Sequence, residues 1–237
     1  MRKVGAVIIV ATLLTLSTGT SSATSPTTAQ FQPYQVVLAS TGGEVFVLGF
    51  KSCGTMSCPE LWAGTSSSFV QRAAPPGTTP RYRIQLVFAN DLDGYAFNTK
   101  LGDYATTNGG INWTHVSFGR DVSLSDVVTS DGWFYGVTEH CVVPKGKDWT
   151  CNDYRLARSR VGSVTWSSIS IPGTGQLSWQ RLGLTAWGQE VTVQTPWLGH
   201  AGETLLRSVG GRAPLRVVSH DPEIGSVTGA CDHDLAR

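Results

Sequence analysis

The chain has 237 residues, of which 41% are hydrophobic and only 15% charged, and its formal net charge is +1. That balance excludes the basic field that nucleic acid or an anionic membrane surface selects, while the length suffices for one large β domain or two small ones with a real core. Gly (27) and Trp (8) are frequent, and together with abundant Thr, Ser and Val they favour strands and tight turns over helices.

In chain order, the first element is an export signal. "MRK" is a positive n-region, "VGAVIIVATLLTL" an apolar h-region, and "SSATS" a small-residue cleavage site, placing cleavage after Ala23 and the signal peptide at 1–23. The apolar run of 13 residues is short of the roughly 20 that a membrane span needs. The expected product is therefore secreted, with no stable span after cleavage; an uncleaved anchor is the alternative. Residues 24–34, "TSPTTAQFQPY", read as a Thr/Ser/Pro linker.

From residue 35 onward one grammar repeats four times. Each unit opens with an alternating strand: "QVVLAS", "IQLVFAN", "VSLSDVVTS", "RLGLTA". A turn follows ("TGGE", "DLDG", "DG", "WGQ"), then a second strand ("VFVLGF", "YAFN", "WFYGVTE", "VTVQT"). A loop of variable length leads to a third strand ("ELWAGT", "DYATT", "YRLARS", "TLLRSV"), and a second turn to a fourth ("FVQR", "THVSF", "SSISI", "LRVVS"). No helical periodicity interrupts this. Four antiparallel strands recurring every ~40–50 residues describe β-propeller blades, here at 35–74, 82–119, 122–172 and 179–219; an ordinary β-sandwich is the competing architecture.

Export makes the five cysteines readable. Cys53 and Cys58 enclose "GTMS", and Cys141 and Cys151 enclose "VVPKGKDWT", each pair closing a short loop between strand-like runs, so both pairs are expected to be bridged. Cys231 is left over, as a free thiol, an intermolecular bridge or the partner of a missing mate.

The stretch "TTNGGINW", Thr106 to Trp113, lies between the third and fourth strands of its unit. A Thr hydroxyl and an Asn amide can bond the turn backbone, two glycines can take positive φ, and the Trp can enter the sheet packing. It reads as a hairpin device and not a ligand cradle. The stretch resembles the Asp-box of bacterial neuraminidase repeats, with Thr106, Asn108, Gly110, Asn112 and Trp113 at the motif positions and Asn replacing both the Asp and the Thr. "SRVGSVTW" keeps Ser159, Thr165 and Trp166; "SVGGRAP" from Ser208 and "TSSSF" from Thr65 are fainter. The resemblance is to the sialidase, sortilin and photosystem-assembly-factor propellers, which share a fold and not an activity. Propellers of this kind usually have six or more blades. The closing "HDPEIGSVTGACDHDLAR" therefore reads as a connector toward an absent blade, in an incomplete ring that self-association could complete; a self-closed four-blade ring is the alternative.

The resemblance also assigns the faces. Asp-box turns mark one face, and the loops between strands 2 and 3 and between blades mark the opposite one, where function tends to concentrate. Trp149, Trp197, His140 and His200 fall in such loops and are the ligand-binding candidates for a carbohydrate or protein. Sialidases hold the substrate carboxylate with three arginines, and Arg83, Arg120 and Arg181 each stand at or just before a first strand, with Asp121 in place for the catalytic Asp. A retaining glycosidase also needs a nucleophile and an acid/base, and no Glu and Tyr are expected on neighbouring strands of that face. Solvated strand-end arginines are the plainer reading. "CDHD" has metal-ligand residue types without ligand spacing, and Asn112-Trp113-Thr114 matches a glycosylation acceptor inside a tight turn. No metal or cofactor is expected, nor a Gly-x-Ser-x-Gly, His-Glu-x-x-His or phosphate loop. The first expectation is a secreted non-catalytic binding propeller; the others are an exo-glycosidase of sialidase type and an extracytoplasmic scaffold.

Overall fold

Period-2 alternation gives every strand two different sides, and here both sides are used. The computed structural model describes residues 30–82, 84–142, 150–172, 182–196, 203–212 and 214–221. Among them are sixteen strands and no helix. The first sheet is β1 (Gln32–Leu38), β2 (Val45–Cys53), β3 (Met56–Thr65) and β4 (Ser68–Arg72). The second is β5 (Gln85–Phe88), β6 (Gly94–Thr99), β7 (Gly102–Thr106) and β8 (Thr114–Val116). The third is β9 (Val122–Ser130), β10 (Trp133–Val142), β11 (Thr150–Arg160) and β12 (Ser167–Ser170). The fourth is β13 (Gly183–Trp187), β14 (Glu190–Pro196), β15 (Glu203–Val209) and β16 (Arg216–Asp221). Each sheet is an antiparallel meander in sequence order, the propeller blade that the repeat implies.

The core is three slabs between successive blades. In the first slab, Phe46 and Leu48 of β2 and Leu61 and Ala63 of β3 pack on Ile84, Leu86 and Phe88 at β5, with the Phe46 and Phe88 rings stacked at 3.5 Å. The second joins Tyr95, Phe97 and Val116 to Leu124, Val127 and Phe134. The third joins Tyr135, Val137, Tyr154 and Leu156 to Leu184, Val191, Val193 and Leu206. Burying each such side chain is worth roughly 1.5–3 kcal/mol, so the slabs hold the blades in series.

Polar contacts set the blade-to-blade register. The Gln35 amide both donates to Leu86 O (3.3 Å) and accepts from Leu86 N–H (3.0 Å). One junction later, Asp103 Oδ2 accepts the Leu124 N–H at 2.8 Å. Asp91 Oδ1 accepts the N–H groups of Gly43 and Glu44, tying the first turns of blades one and two. Inner strands pack β1 on β5, β6 on β9 and β9 on β13. The series stays open between the fourth blade and the first.

The turns between strands 3 and 4 add a directional clamp. In the second blade, Thr106 Oγ1 donates to Asn108 Oδ1 (3.0 Å) and accepts from the N–H of Asn108 (3.3 Å) and Gly110 (2.9 Å), while Asn108 Oδ1 also accepts the Asn112 N–H (2.9 Å). Gly109 and Gly110 take φ of 68° and 80°, and a Cβ on Gly110 would meet Leu61 of the first blade at 2.8 Å. The Trp113 indole N–H reaches back to Ala73 O at 2.8 Å and its ring meets Phe88 edge-on. The third blade repeats the device with other partners: Ser159 Oγ donates to Ser163 O (3.1 Å), Tyr95 OH of the second blade donates to the same carbonyl (3.0 Å), and Trp166 packs on Tyr95 and Phe118. Thr165 N–H completes that turn on Ser163 Oγ. In the fourth, Ser208 Oγ donates to Arg212 O, and Arg158 Nη1 of the third blade donates to Gly210 O. Every clamp grips the preceding blade.

Candidate functional site

Hairpins between strands 2 and 3 rise from the end opposite the clamps, and they differ in height. The β2–β3 ladder runs nine pairs from Val45↔Gly64 to Cys53↔Met56, and β10–β11 runs from Trp133↔Arg160 to Val142↔Thr150. Between them β6 and β7 are only 6 and 5 residues long. At about 3.3 Å per residue, the flanking hairpins stand on the order of 10 Å above the middle one. "KSCGTMSCP", expected to be a loop, is therefore mostly strand.

Both tall hairpins are cross-linked near their tips. Cys53–Cys58 and Cys141–Cys151 are bonded, with Cα separations of 5.9 and 4.0 Å. In the second hairpin His140 Nδ1 meets Asn152 Oδ1 of its paired residue at 3.2 Å, and Cys141 N–H donates to Asp121 O at 2.9 Å. Asp121 sits at φ 61° in the connector entering β9, next to exposed Arg120. Its anchoring role is thus played by its backbone carbonyl. His140, Asp121 and the Cys141–Cys151 bridge are brought together; Arg83, Arg181, Trp149, Trp197, His200 and Cys231 lie outside the described residues.

The saddle between the hairpins carries apolar side chains open to water. Tyr34 (44% exposed) enters β1 and Tyr82 (42%) precedes β5, with the Tyr34 hydroxyl donating to Tyr82 O at 3.5 Å. Leu101 tops the low hairpin, and Met56 and Val142 are exposed on the tall ones. These are residues that sequence reasoning passed over. Tyr34 falls in the stretch that reads as linker by composition, yet β1 begins at Gln32, and Tyr82 has no periodic pattern around it that marks it as exposed.

An acidic group lies beneath the same end. Asp103 is 3% exposed, and burial pushes its carboxyl up to about 6, against the opposing pull of the Leu124 and Asn98 amides and with the Glu139 charge adding to the rise. Glu139 also faces Tyr154 across the β10–β11 register shift. β11 starts at Thr150 and brings Tyr154 level with Glu139 of the neighbouring strand. Tyr154 is nevertheless 2% exposed within the core slab, and burial first, then Glu139, pushes it up to about 12. Glu139, Cys141 and Cys151 cluster within 4.8 Å, but the two sulfurs are bonded to each other and hold no thiolate for a metal.

The serial four-stranded meanders and their clamped turns define the class: this is an all-β fold of β-propeller blades. Neither a protein-family model nor a curated protein sequence matches the chain. Solved structures similar to it include a subtype N10 neuraminidase-like protein of A/little yellow-shouldered bat/Guatemala (13% identity, TM-score 0.45, 80% of this chain and 59% of that one). YCF48 from Cyanidioschyzon merolae aligns at 11% identity and TM-score 0.43, again over 80% and 59%. A family 117 glycoside hydrolase from the marine bacterium Zobellia galactanivorans aligns at 11% and 0.37, over 81% and 70%. The chain spans 59% of the length of each of the first two. No helix among the described residues is long and apolar enough to cross a membrane.

Proposed function

We propose that this chain is an extracytoplasmic, non-catalytic binding propeller that takes a carbohydrate or protein ligand on the saddle between its two disulfide-pinned hairpins. The observation that carries the reading is the pairing of stiffened walls with exposed Tyr34 and Tyr82 on the floor. Aromatic rings with a polar tip give large contact area at low entropic cost, which suits either ligand class, and pre-stiffened walls reduce the ordering that binding demands. The two disulfides fit an exported chain.

Catalysis of sialidase type is the weaker reading. It needs an accessible tyrosine poised to lose its proton, whereas Tyr154 is buried and pushed the other way. Self-association would use the outward face of the first blade, where Val36 and Leu38 stand exposed. The experiment is a side-by-side array of glycans and extracellular proteins, probed with the wild-type chain and the Tyr34→Ala/Tyr82→Ala variant. The reading expects at least one ligand whose signal falls ten-fold or more in the variant at unchanged melting temperature. Ligands indifferent to both tyrosines would move the site elsewhere.

A further inference from the structure

The outward face of the fourth blade is cationic for reasons that its fold does not supply. Arg207 of β15 and Arg216 of β16 are direct cross-strand partners, an arrangement in which like charges repel and weaken the pair. Arg212 stands in the turn joining those two strands, so one hairpin carries three guanidinium groups. Glu190 answers one of them, its Oε1 accepting from Arg207 Nη1 at 3.0 Å. Arg212 and Arg216 have no carboxylate partner among the described residues. The three arginines and Glu190 line one open pocket of about 520 Å³, with Pro214 and Val218 as its apolar wall. Its excess of two positive charges exceeds the whole chain's +1, so this charge is concentrated and not part of a general basic surface.

The scaffold beneath the pocket is braced. Ser208 Oγ holds the turn through Arg212 O, Gly210 N–H donates to Gln189 O at 2.5 Å, and Arg158 of the third blade donates to Gly210 O at 2.5 Å. Beside it runs an edge: among the described residues β16 pairs with β15 alone, leaving one side of its backbone free for strand addition. In an extended peptide laid along that edge, alternate residues share one face, about 6.6 Å apart. Arg207 and Arg216 stand at one level along the strands, with Arg212 in the turn beyond, so a carboxylate at that level and the next one on the same face toward the turn come within reach of the three guanidinium forks, which bind carboxylates through charge-assisted paired hydrogen bonds.

We propose that the β15–β16 hairpin is a docking site for an extended acidic peptide with carboxylates at alternate residues, held by Arg207, Arg212 and Arg216. The site is separate from the hairpin saddle and stands or falls independently of it. The probe is a blocked fluorescent peptide, Glu-Val-Glu-Val-Glu, titrated by anisotropy at low ionic strength beside its Gln-Val-Gln-Val-Gln counterpart. The acidic peptide should bind at least ten-fold more tightly than the neutral one and weaken steeply with added salt. Arg212→Gln and Arg216→Gln should each cost about ten-fold, and Arg216→Lys should restore part of the loss, with the melting temperature unchanged throughout. Equal affinity for the two peptides, no saturation at millimolar peptide, or insensitivity to both arginine variants would overturn the proposal. So would equal competition by polygalacturonate, which carries carboxylates without a strand-forming backbone.

Discussion

The two ends of the blade series are made differently. On the first blade, register aligns Val36↔Val47↔Trp62 and Leu38↔Val45↔Gly64↔Phe69 on the face turned away from the second blade. Val36, Leu38 and Phe69 are 64%, 65% and 45% exposed. On the fourth blade the corresponding rows are Thr185↔Thr192↔Arg207↔Arg216 and Gly183↔Gln194↔Leu205↔Ser219, with Trp187 and Val209 exposed at one margin. Blades two and three bury apolar side chains on both faces. The first blade thus has the side-chain pattern of an interior blade on both faces, the fourth on only one. An apolar face invites another sheet; a cationic one stays in water until an anion arrives.

The largest effect should separate the two faces of the first blade itself. Phe46→Ala empties a fully buried position stacked on Phe88 and should cost about 3–5 kcal/mol in urea unfolding. Leu38→Ala, on the outward face, should stay within about 0.5 kcal/mol. If the two cost the same, the outward face is covered in solution.

Next comes the clamp. Trp113→Ala removes a half-buried indole and its bond to Ala73 O and should cost about 2–4 kcal/mol without changing saddle binding. A loss of binding at unchanged stability would place the site at the wrong end.

Asp103 tests the inner junctions that neither end possesses. Its folded value of about 6 lies above the ordinary 3.8, so the folded chain holds the proton more tightly than the unfolded one. The resulting stability is fully present below pH 4, is lost as pH rises from about 4 to 6, and is absent at neutrality. Asp103→Asn keeps an acceptor for the Leu124 N–H and removes the buried charge. It should raise stability at pH 7 by about 2–3 kcal/mol, with the gain vanishing below pH 4 in paired pH–denaturation series. A variant no more stable at pH 7 would show that the carboxylate is stabilised in place.

The smallest effect on stability concerns association. Val36→Lys/Leu38→Lys should leave the unfolding midpoint nearly unchanged yet lower any concentration-dependent sedimentation, whereas Arg212→Gln should not. Sedimentation that responds only to the arginine would reverse the comparison.

Most of the blade pattern was legible because alternation and turn residues are local: "VFVLGF" and "WFYGVTE" could be assigned from period alone. The turn at Thr106–Trp113 was legible for the same reason, since the hydrogen bonds that close it span at most four residues; its grip on Ala73 through Trp113 was not, because that bond joins distant residues. What was hidden depended on register between distant strands. Tyr154 comes level with Glu139 only through the β10–β11 ladder, Asp103 is buried only once Leu124 lies against it, and Arg207 faces Arg216 only after the β15–β16 turn is made. The height of the hairpins was equally hidden, because "KSCGTMSCP" shows polar, turn-rich composition where the backbone continues as strand.

The central claim is binding without turnover at the hairpin end. Its most direct test is prolonged incubation of the chain with a fluorogenic sialoside, in parallel with the Glu139→Gln variant. The account predicts no release above buffer from either protein. Release by the wild type that disappears in Glu139→Gln would contradict it and make this end an active site.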